Sequence, residues 1–250
     1  MSVSGSACCS SCASTLAKPK PRSSRQAGCG DDLRRGLRPW NTLVTWPEDE
    51  SHDFRRWWSA RMGVEAEALD AVWYAPGAYE TRESGPIAAA LASVHAAFGV
   101  EPEVGDVVDW RLEMTRRALV PDPGVAPTLI ELRRRGIAIG LISNCTEDVA
   151  LVWDESPFAA LVDVAVFSAT AACMKPDRRI YELALTGLGR KAAESLFVGD
   201  GANDELEGAR SAGMTPVLFQ DGGQAPRWPA LEGWGGLRVT AIPQVLELVA

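Results

Sequence analysis

Three absences limit what this 250-residue chain can be. No apolar run approaches the ~20 residues that a membrane-spanning helix needs, so we expect no membrane partner. Basic residues do not dominate: 25 Lys/Arg stand against 33 Asp/Glu, which excludes the basic face that binds nucleic acid. Cys145 and Cys173 are isolated, so we expect reduced thiols and a cytoplasmic protein. A hydrophobic content of 46% is enough for one sizeable core, and we expect a small molecule as the ligand.

The first 38 residues differ in composition from the rest. They hold seven Lys/Arg against two acids and four of the six cysteines, and they show neither helical periodicity nor strand alternation. We therefore predict a disordered segment at residues 1–38. Three other interpretations stay open: a zinc site that uses Cys9 and Cys12, an organelle transit peptide, and a stretch that lies upstream of the real start.

The rest of the chain alternates short apolar runs with helical patterns. This rhythm is typical of an α/β fold with a parallel, doubly wound sheet. The pattern also predicts a helix over residues 176–189, opened by Pro176. The predicted strands lie in residues 136–143, 163–169, 195–200 and 215–220, with a weaker one in 237–242.

Residues 53–118 break this alternation, because they contain helical patterns alone. Two apolar stripes recur there at helical spacing. The stripes are Ile87, Leu91, Val94 and Phe98, and then Val107, Trp110 and Met114. We interpret residues 53–118 as a small all-helical cap domain inserted into an α/β core made of residues 39–52 and 119–250. The hinges are expected near residues 47–52 and 118–124, where acids, prolines and glycine interrupt the pattern.

Polar side chains follow the predicted strands at the edge where such sheets bind ligands. Asp200 ends one strand and Asp204 lies near the first turn of the next helix, so both carboxylates are expected to face one volume that suits Mg²⁺. Alternatively, Asp204 merely caps that helix. Ser143 and Asn144 end another strand and offer a hydroxyl and backbone N–H groups to an anionic oxygen. Lys175 precedes a helix, where its ammonium would neutralise a phosphate.

In this order, the Ser, the Lys and the Asp-x-x-x-Asp pattern resemble motifs two, three and four of the haloacid dehalogenase superfamily of hydrolases, over residues 39–250. The resemblance implies a Rossmann-like core, Mg²⁺ as the cofactor, and a small phosphorylated metabolite as the substrate of a monomer or homodimer. It further implies that Asp200 is the direct Mg²⁺ ligand and Asp204 its second acidic partner. Ser143 and Asn144 would then bind phosphate, and Lys175 would balance its charge.

The segment "RPWNTLV", residues 38–44, matches the family's motif one only in part. Thr42 fits the phosphate-binding position, but Arg38 stands where the family has its nucleophilic aspartate and Trp40 where it has the acid/base aspartate. Residues 26–38 also lack the apolar run of a buried central strand. We therefore expect the chain to be inactive as written, and a wrong start or reading frame upstream of Trp40 would explain both absences.

Three functions stay open at this point. The first is a Mg²⁺-dependent phosphatase that works through an aspartyl-phosphate. The second is a 2-haloacid dehalogenase-like hydrolase, because an aromatic residue at the place of Trp40 resembles dehalogenase versions of motif one. The third is a catalytically dead binding protein, because the nucleophile is missing.

Other chemically tempting residues are interpreted as structural. His52 is expected to be exposed, and His95 is expected to pack within a helix. Cys145 has no histidine nearby in the sequence that would activate it as a nucleophile. A packing role is also expected for the aromatic residues Trp57, Trp58 and Trp73.

Overall fold

The computed structural model describes residues 5–7, 15–17, 42–44, 48–75, 77–101, 103–223, 228 and 231–249. Strands and helices alternate over its C-terminal half, and helices alone fill residues 48–118. The strands in these ranges are β1 Gly5–Ala7, β2 Thr15–Ala17, β3 Gly140–Ser143, β4 Val164–Phe167, β5 Leu196–Gly199, β6 Thr215–Phe219 and β7 Leu237–Val239. The helices are α1 Glu48–Met62, α2 Ala66–Trp73, α3 Ala78–Arg82, α4 Ile87–Ala97, α5 Gly105–Ala118, α6 Val125–Arg134, α7 Glu147–Val152, α8 Ser168–Ala171, α9 Arg178–Leu188, α10 Glu205–Ser211 and α11 Val245–Leu248.

Each of the predicted apolar runs contains one of the strands β3 to β7, which confirms the α/β prediction. β3 pairs with β4 in parallel, and β5, β6 and β7 form a second parallel set in that order. Every residue of β3 and of β5 is buried, as the continuous apolar runs require in a sheet that is covered on both faces. Helices α9 and α10 pack on these strands. The carboxyl ends of β3 and β5 therefore carry the predicted site residues.

The prediction of a disordered segment at residues 1–38 is wrong for residues 5–7 and 15–17. There β1 and β2 form an antiparallel pair, and β2 joins β5 in the antiparallel sense through Thr15 and Val198. Both short strands also contact β3. In the described ranges no parallel strand pairs with β5 on the side that β2 occupies, and an extended segment can pair with the N–H and C=O groups of such an edge. The other residues of the predicted segment lie outside the described ranges.

The helical insert, residues 48–118, starts five residues earlier than predicted. Its first helix begins at Glu48, so residues 48–52 form a helical turn and not a hinge. The acids that were read as a linker are favourable in the first turn of a helix, because they face the positive end of its dipole. At the second predicted hinge the chain is not helical, since α5 ends at Ala118 and α6 begins at Val125, and its role as a hinge stays a prediction.

The insert and the sheet each have their own cluster of buried apolar side chains. Phe54, Trp58 and Leu91 belong to the cluster within the insert. The second cluster surrounds the sheet and includes Leu43, beside the polar strand ends. The backbone carbonyl of Leu43 accepts a hydrogen bond from the Asp122 N–H (3.0 Å), which ties together the two chain segments that lead into and out of the insert. That the insert acts as a cap domain stays a prediction.

Helix α9 begins two residues later than the pattern suggested. Asp177 is its N-cap, and the carboxylate of Asp177 accepts a hydrogen bond from the N–H of Arg179 (2.9 Å). Pro176 therefore precedes the cap and does not occupy the first helical position. The carboxylate of Asp177 satisfies a backbone N–H of the first turn, and the proline, which has no N–H, lies outside that turn. Among the described residues, no helix has both the length and the apolar character that a bilayer crossing requires.

Candidate active site

Asn144, directly after β3, fixes the position of Lys175. The side-chain oxygen of Asn144 accepts a hydrogen bond from the Lys175 N–H (2.7 Å), and its amide donates to the Lys175 carbonyl (2.9 Å). Asn144 is fully buried, so this two-point contact is sheltered from water. The side chain of Asn144 is thus occupied in holding Lys175, which leaves the predicted contact of its backbone N–H with an anion untouched. The end of β3 and the lysine loop therefore form one unit.

Lys175 forms a buried ion pair with Glu205. The Lys175 Nζ lies 2.7 Å from the Glu205 Oε2, and the two side chains are 1% and 0% exposed. The other oxygen of Glu205 accepts a hydrogen bond from the Gly201 N–H (3.0 Å). Gly199 makes room for this carboxylate, because a Cβ there would lie 2.1 Å from the Glu205 Oε1. Glu205 was not among the predicted site residues.

Burial raises the pKa of Glu205 from 4.5 to about 8, because desolvation outweighs the opposing effects of Lys175 and the hydrogen bond from Gly201. The negative charge of Asp200 raises this pKa further. The short distance to Lys175 favours two full charges, whereas the raised pKa indicates that Glu205 also holds a proton near neutral pH. The protonated form is favoured because a carboxylate with no solvent exposure receives no stabilisation from water.

The loop after β5 places Asp200 and Asp204 in different surroundings. Asp200 is buried, and its Oδ1 accepts a hydrogen bond from the Ala202 N–H (2.9 Å). Asp204 is exposed, has a left-handed φ of +55°, and makes no side-chain cap of α10 although it stands at the N-cap position. Asn203 is left-handed as well, with φ +51°. Two consecutive left-handed residues turn the chain so that the buried carboxylate is Glu205, one position after the acid that the sequence suggested.

A second prediction for this loop concerns Mg²⁺. Among the described residues, no group of three or more His, Cys, Asp or Glu side chains is arranged to hold a metal. Mg²⁺ needs only one or two carboxylates, because waters and phosphate oxygens complete its shell. The buried carboxylate of Asp200 at a strand end fits such a contact. The role of Asp204 as a second ligand stays a prediction, and its exposure does not favour a direct contact beside Asp200.

Two buried hydroxyls stand out at the positions predicted to bind phosphate. Ser143 is 1% exposed and Thr42 is 2% exposed, and neither Oγ of Ser143 nor Oγ1 of Thr42 has a hydrogen-bond partner within the described part of the chain. A buried polar atom without a partner costs about 1–3 kcal/mol. A fold under no other demand would carry Ala or Val there. Arg38 and Trp40 lie outside the described residues.

The helical insert reaches the same edge of the sheet through charged and polar contacts. Arg111 of α5 donates to Asp148 (2.9 Å) and to Thr146 (3.2 Å), both just after β3, and Thr115 donates to Asp148 as well. The first N–H of α4, that of Ile87, donates to the side chain of Glu147 (2.9 Å). Sequence patterns gave no signal for these pairs, because each joins residues more than 30 positions apart.

The residues that were set aside behave as expected. His52 is exposed, and the thiol of Cys145 is buried. His95 is buried and accepts a hydrogen bond at Nε2 from the indole N–H of Trp58 (2.9 Å), so its Nδ1–H donates to the carbonyl of Glu101 (2.8 Å). The three tryptophans pack in or against the cluster within the insert.

Comparison with known proteins extends this picture. Residues 41–213 match the model of the haloacid dehalogenase-like hydrolases. A glyceraldehyde 3-phosphate phosphatase of Methanothermobacter thermautotrophicus is 32% identical over 52% of this chain and 58% of its own length. An (S)-2-haloacid dehalogenase of Pseudomonas sp. strain YL is 31% identical over 52% and 55%. The chain thus spans about half the length of these relatives.

Solved structures share the fold of this chain. The crystal structure of a HAD phosphatase from Thermococcus onnurineus superposes with a TM-score of 0.61 at 17% identity, over 83% of this chain and 93% of that one. At this identity the likeness shows a shared fold. The family match itself covers well over half of the chain and includes the ends of β3 and β5 together with Lys175. This chain is therefore a member of the haloacid dehalogenase-like hydrolase family.

Proposed function

We propose that this chain binds the phosphate group of a small phosphorylated metabolite, together with Mg²⁺, at the ends of β3 and β5. The observation that carries the proposal is the pair of buried hydroxyls, Ser143 and Thr42, which have no partner among the described residues. Ser143 directly precedes Asn144, the residue that fixes buried Lys175. Two hydroxyl donors and one ammonium match the needs of a phosphate dianion.

Each residue has a distinct task in this proposal. Ser143 and Thr42 donate hydrogen bonds to phosphate oxygens, and the ammonium of Lys175 offsets their negative charge. Glu205 holds Lys175 in place through the 2.7 Å contact. Asp200 would hold Mg²⁺, which supplies positive charge to the phosphate when it is bound.

Turnover is where this chain departs from its family. The family's route passes through an aspartyl-phosphate, and such a covalent route needs a carboxylate at the position of Arg38. A guanidinium is permanently positive and cannot attack phosphorus. We therefore propose that the chain as written binds phosphate esters and does not hydrolyse them efficiently. The similarity to the (S)-2-haloacid dehalogenase of Pseudomonas sp. strain YL, together with Trp40, supports hydrolysis of 2-haloacids as the second candidate.

Calorimetric titration with inorganic phosphate in the presence of Mg²⁺ tests the proposal. Ser143→Ala is expected to weaken phosphate binding at least about tenfold, because a hydrogen bond to a charged group is worth about 1.5–3 kcal/mol. The same substitution is expected to raise the free energy of unfolding by up to about 1 kcal/mol, since it removes a buried hydroxyl without a partner.

The matched control is Ser211→Ala, which removes an exposed serine at the end of α10 and should change neither quantity. A loss of stability in Ser143→Ala with unchanged phosphate affinity would show that the hydroxyl serves the fold, and the proposal would fail. Release of halide from 2-chloropropionate by the parent chain would favour the second candidate instead.

A further inference from the structure

Glu83, the residue that follows α3, brings a carboxyl group from the helical insert to the edge of the sheet. Its backbone carbonyl accepts a hydrogen bond from the hydroxyl of Ser168 (2.6 Å), and that hydroxyl accepts one from the Cys145 N–H (3.0 Å). Cys145 stands two positions after Ser143. The insert is therefore tied, at Glu83, to the loop that carries the proposed phosphate-binding groups.

The carboxyl of Glu83 is buried and only partly satisfied. Its side chain is 5% exposed, its Oε1 lies 3.6 Å from Arg82, and it accepts a hydrogen bond from the hydroxyl of Tyr79. That hydroxyl in turn accepts a hydrogen bond from Asn203 (2.8 Å) in the loop after β5. The other oxygen, Oε2, has no hydrogen-bond partner in the described part of the chain.

Burial raises the pKa of Glu83 from 4.5 to about 7, and the charges that face it do not cancel this effect. Those groups are Arg82 and Tyr79 on its own helix, Arg111 on α5 and Lys175 in the loop before α9, and all of them favour the ionised form. A carboxyl kept here costs the fold free energy that a neutral side chain would not. Its retention in this place points to a ligand.

The surrounding charges indicate which kind of ligand group is missing. Arg111 is neutralised by Asp148 (2.9 Å) and Glu83 itself by Arg82 (3.6 Å), and the ammonium of Lys175, which contacts Glu205 (2.7 Å), is the counter-charge of the proposed phosphate. Each charge near the carboxyl thus has a counter-charge. What Oε2 lacks is a hydrogen-bond donor, and a neutral donor preserves the balance, whereas an ammonium adds one uncompensated positive charge.

We infer that Glu83 is a specificity-determining residue whose Oε2 accepts a hydrogen bond from a hydroxyl on the alcohol part of the phosphate ester. The substrate class is then the phosphate monoesters of polyols, such as glycerol or sugar phosphates, in preference to simple alkyl or aminoalkyl phosphates. This inference rests on the proposed function, because the ester must be held by Ser143 and Lys175 for its alcohol part to face the insert.

The test compares three phosphate monoesters by calorimetry on the full chain with Mg²⁺ at pH 8. Glycerol 3-phosphate carries hydroxyls, phosphoethanolamine carries an ammonium, and ethyl phosphate carries no donor. We expect glycerol 3-phosphate to bind about tenfold more tightly than ethyl phosphate. In Glu83→Met, which has similar length and no charge, the ratio should fall to about one, whereas the exposed control Glu80→Met on the same helix should keep it.

A pH profile separates recognition from a structural role. The affinity ratio of glycerol 3-phosphate to ethyl phosphate should decline from pH 8 to pH 6 as Glu83 gains a proton, and the ionisation of the two phosphates cancels in that ratio. In Glu83→Gln, whose carbonyl still accepts a hydrogen bond and does not titrate, a smaller ratio should persist without pH dependence. If Glu83→Met does not fold, Glu83→Gln alone decides through this profile.

The outcomes distinguish this inference from the proposed function. If ethyl phosphate does not bind at all, the proposed phosphate site is wrong. If ethyl phosphate binds and the parent shows no preference for glycerol 3-phosphate, the role of Glu83 is overturned while the phosphate site stands. If phosphoethanolamine binds most tightly and loses that advantage in Glu83→Met, the recognised group is an ammonium and the polyol class is wrong.

Discussion

Removing either partner of the Lys175–Glu205 ion pair should cost different amounts of stability. With its pKa raised to about 8, Glu205 is mostly protonated at pH 7, so Glu205→Gln keeps the shape and the hydrogen-bonding oxygen of this side chain and should cost under about 1 kcal/mol. In Lys175→Met, Glu205 is left alone, but its pKa is already raised to about 8, so it takes up a proton at pH 7. That variant loses mainly hydrogen bonding, about 1–2 kcal/mol.

The assay is urea-induced unfolding at pH 7, followed by circular dichroism. We expect the free energy of unfolding of Lys175→Met to lie about 1 kcal/mol below that of Glu205→Gln. The matched control is Glu182→Gln, which breaks the exposed pair with Arg178 and should cost under about 0.5 kcal/mol.

The pH dependence of this comparison follows from the raised pKa. A carboxyl with a raised folded-state pKa loses stability as the pH rises from its unfolded value of 4.5 to its folded value, and the loss stops there. Without Lys175, the pKa of Glu205 rises further, so Lys175→Met should keep losing stability above pH 8 while the parent levels off. If Glu205→Gln instead costs as much as Lys175→Met at pH 7, or the roughly 3–5 kcal/mol of a broken buried ion pair, Glu205 is ionised in the fold at that pH and this reasoning is refuted.

Three further predictions follow from buried groups and from the chain connections. His95→Phe should lower the free energy of unfolding by about 1–3 kcal/mol, because it orphans the Trp58 indole N–H, whereas the exposed His52→Phe should change it little in the same urea titration. Glu83→Gln should gain stability over the parent between pH 4.5 and 7, by up to about 3 kcal/mol at about 1.4 kcal/mol per pKa unit, and a gap that does not grow with pH would contradict the raised pKa. Limited proteolysis should cut residues 119–124 before residues 48–52, because only the latter are helical, and first cleavage within 48–52 would contradict the boundary of α1.

The strands could be read from the sequence because each is a short apolar run that ends in a polar residue. β3 lies within the predicted residues 136–143 and β5 within 195–200, so the strand ends that carry Ser143 and Asp200 were placed correctly. This success has a simple cause, since a strand buried on both faces needs apolar side chains throughout.

The site was read less completely, for reasons of local backbone geometry and long-range pairing. Two left-handed residues, Asn203 and Asp204, change the direction of the chain; Asn and Asp adopt this conformation more often than other non-glycine residues, but the residue types alone do not say which of them will. Glu205, the carboxylate beside Lys175, was therefore not among the predicted site residues. Arg111 and Asp148 escaped notice because their pairing joins the insert to the sheet and depends on how the two pack together.

The boundaries of secondary-structure elements were predicted wrongly where one local composition is compatible with two different structures. Acids at residues 48–50 fit a solvated linker and equally fit a helix N-terminus, and the structure shows the second. The N-terminal strands could not be foreseen either, because what binds them is the open edge of β5 and not their own pattern.

The most direct test of the central claim is a phosphate assay on the full chain with Mg²⁺, using glycerol 3-phosphate in binding and turnover experiments side by side. The account predicts that glycerol 3-phosphate binds saturably and that Ser143→Ala weakens this binding. The parent chain should release no more phosphate than Ser143→Ala does. No acid-stable phosphorylated chain should be found after the reaction is quenched. Mg²⁺-dependent hydrolysis by the chain as it stands would contradict the account, since a nucleophile other than a carboxylate at the position of Arg38 would then have to act.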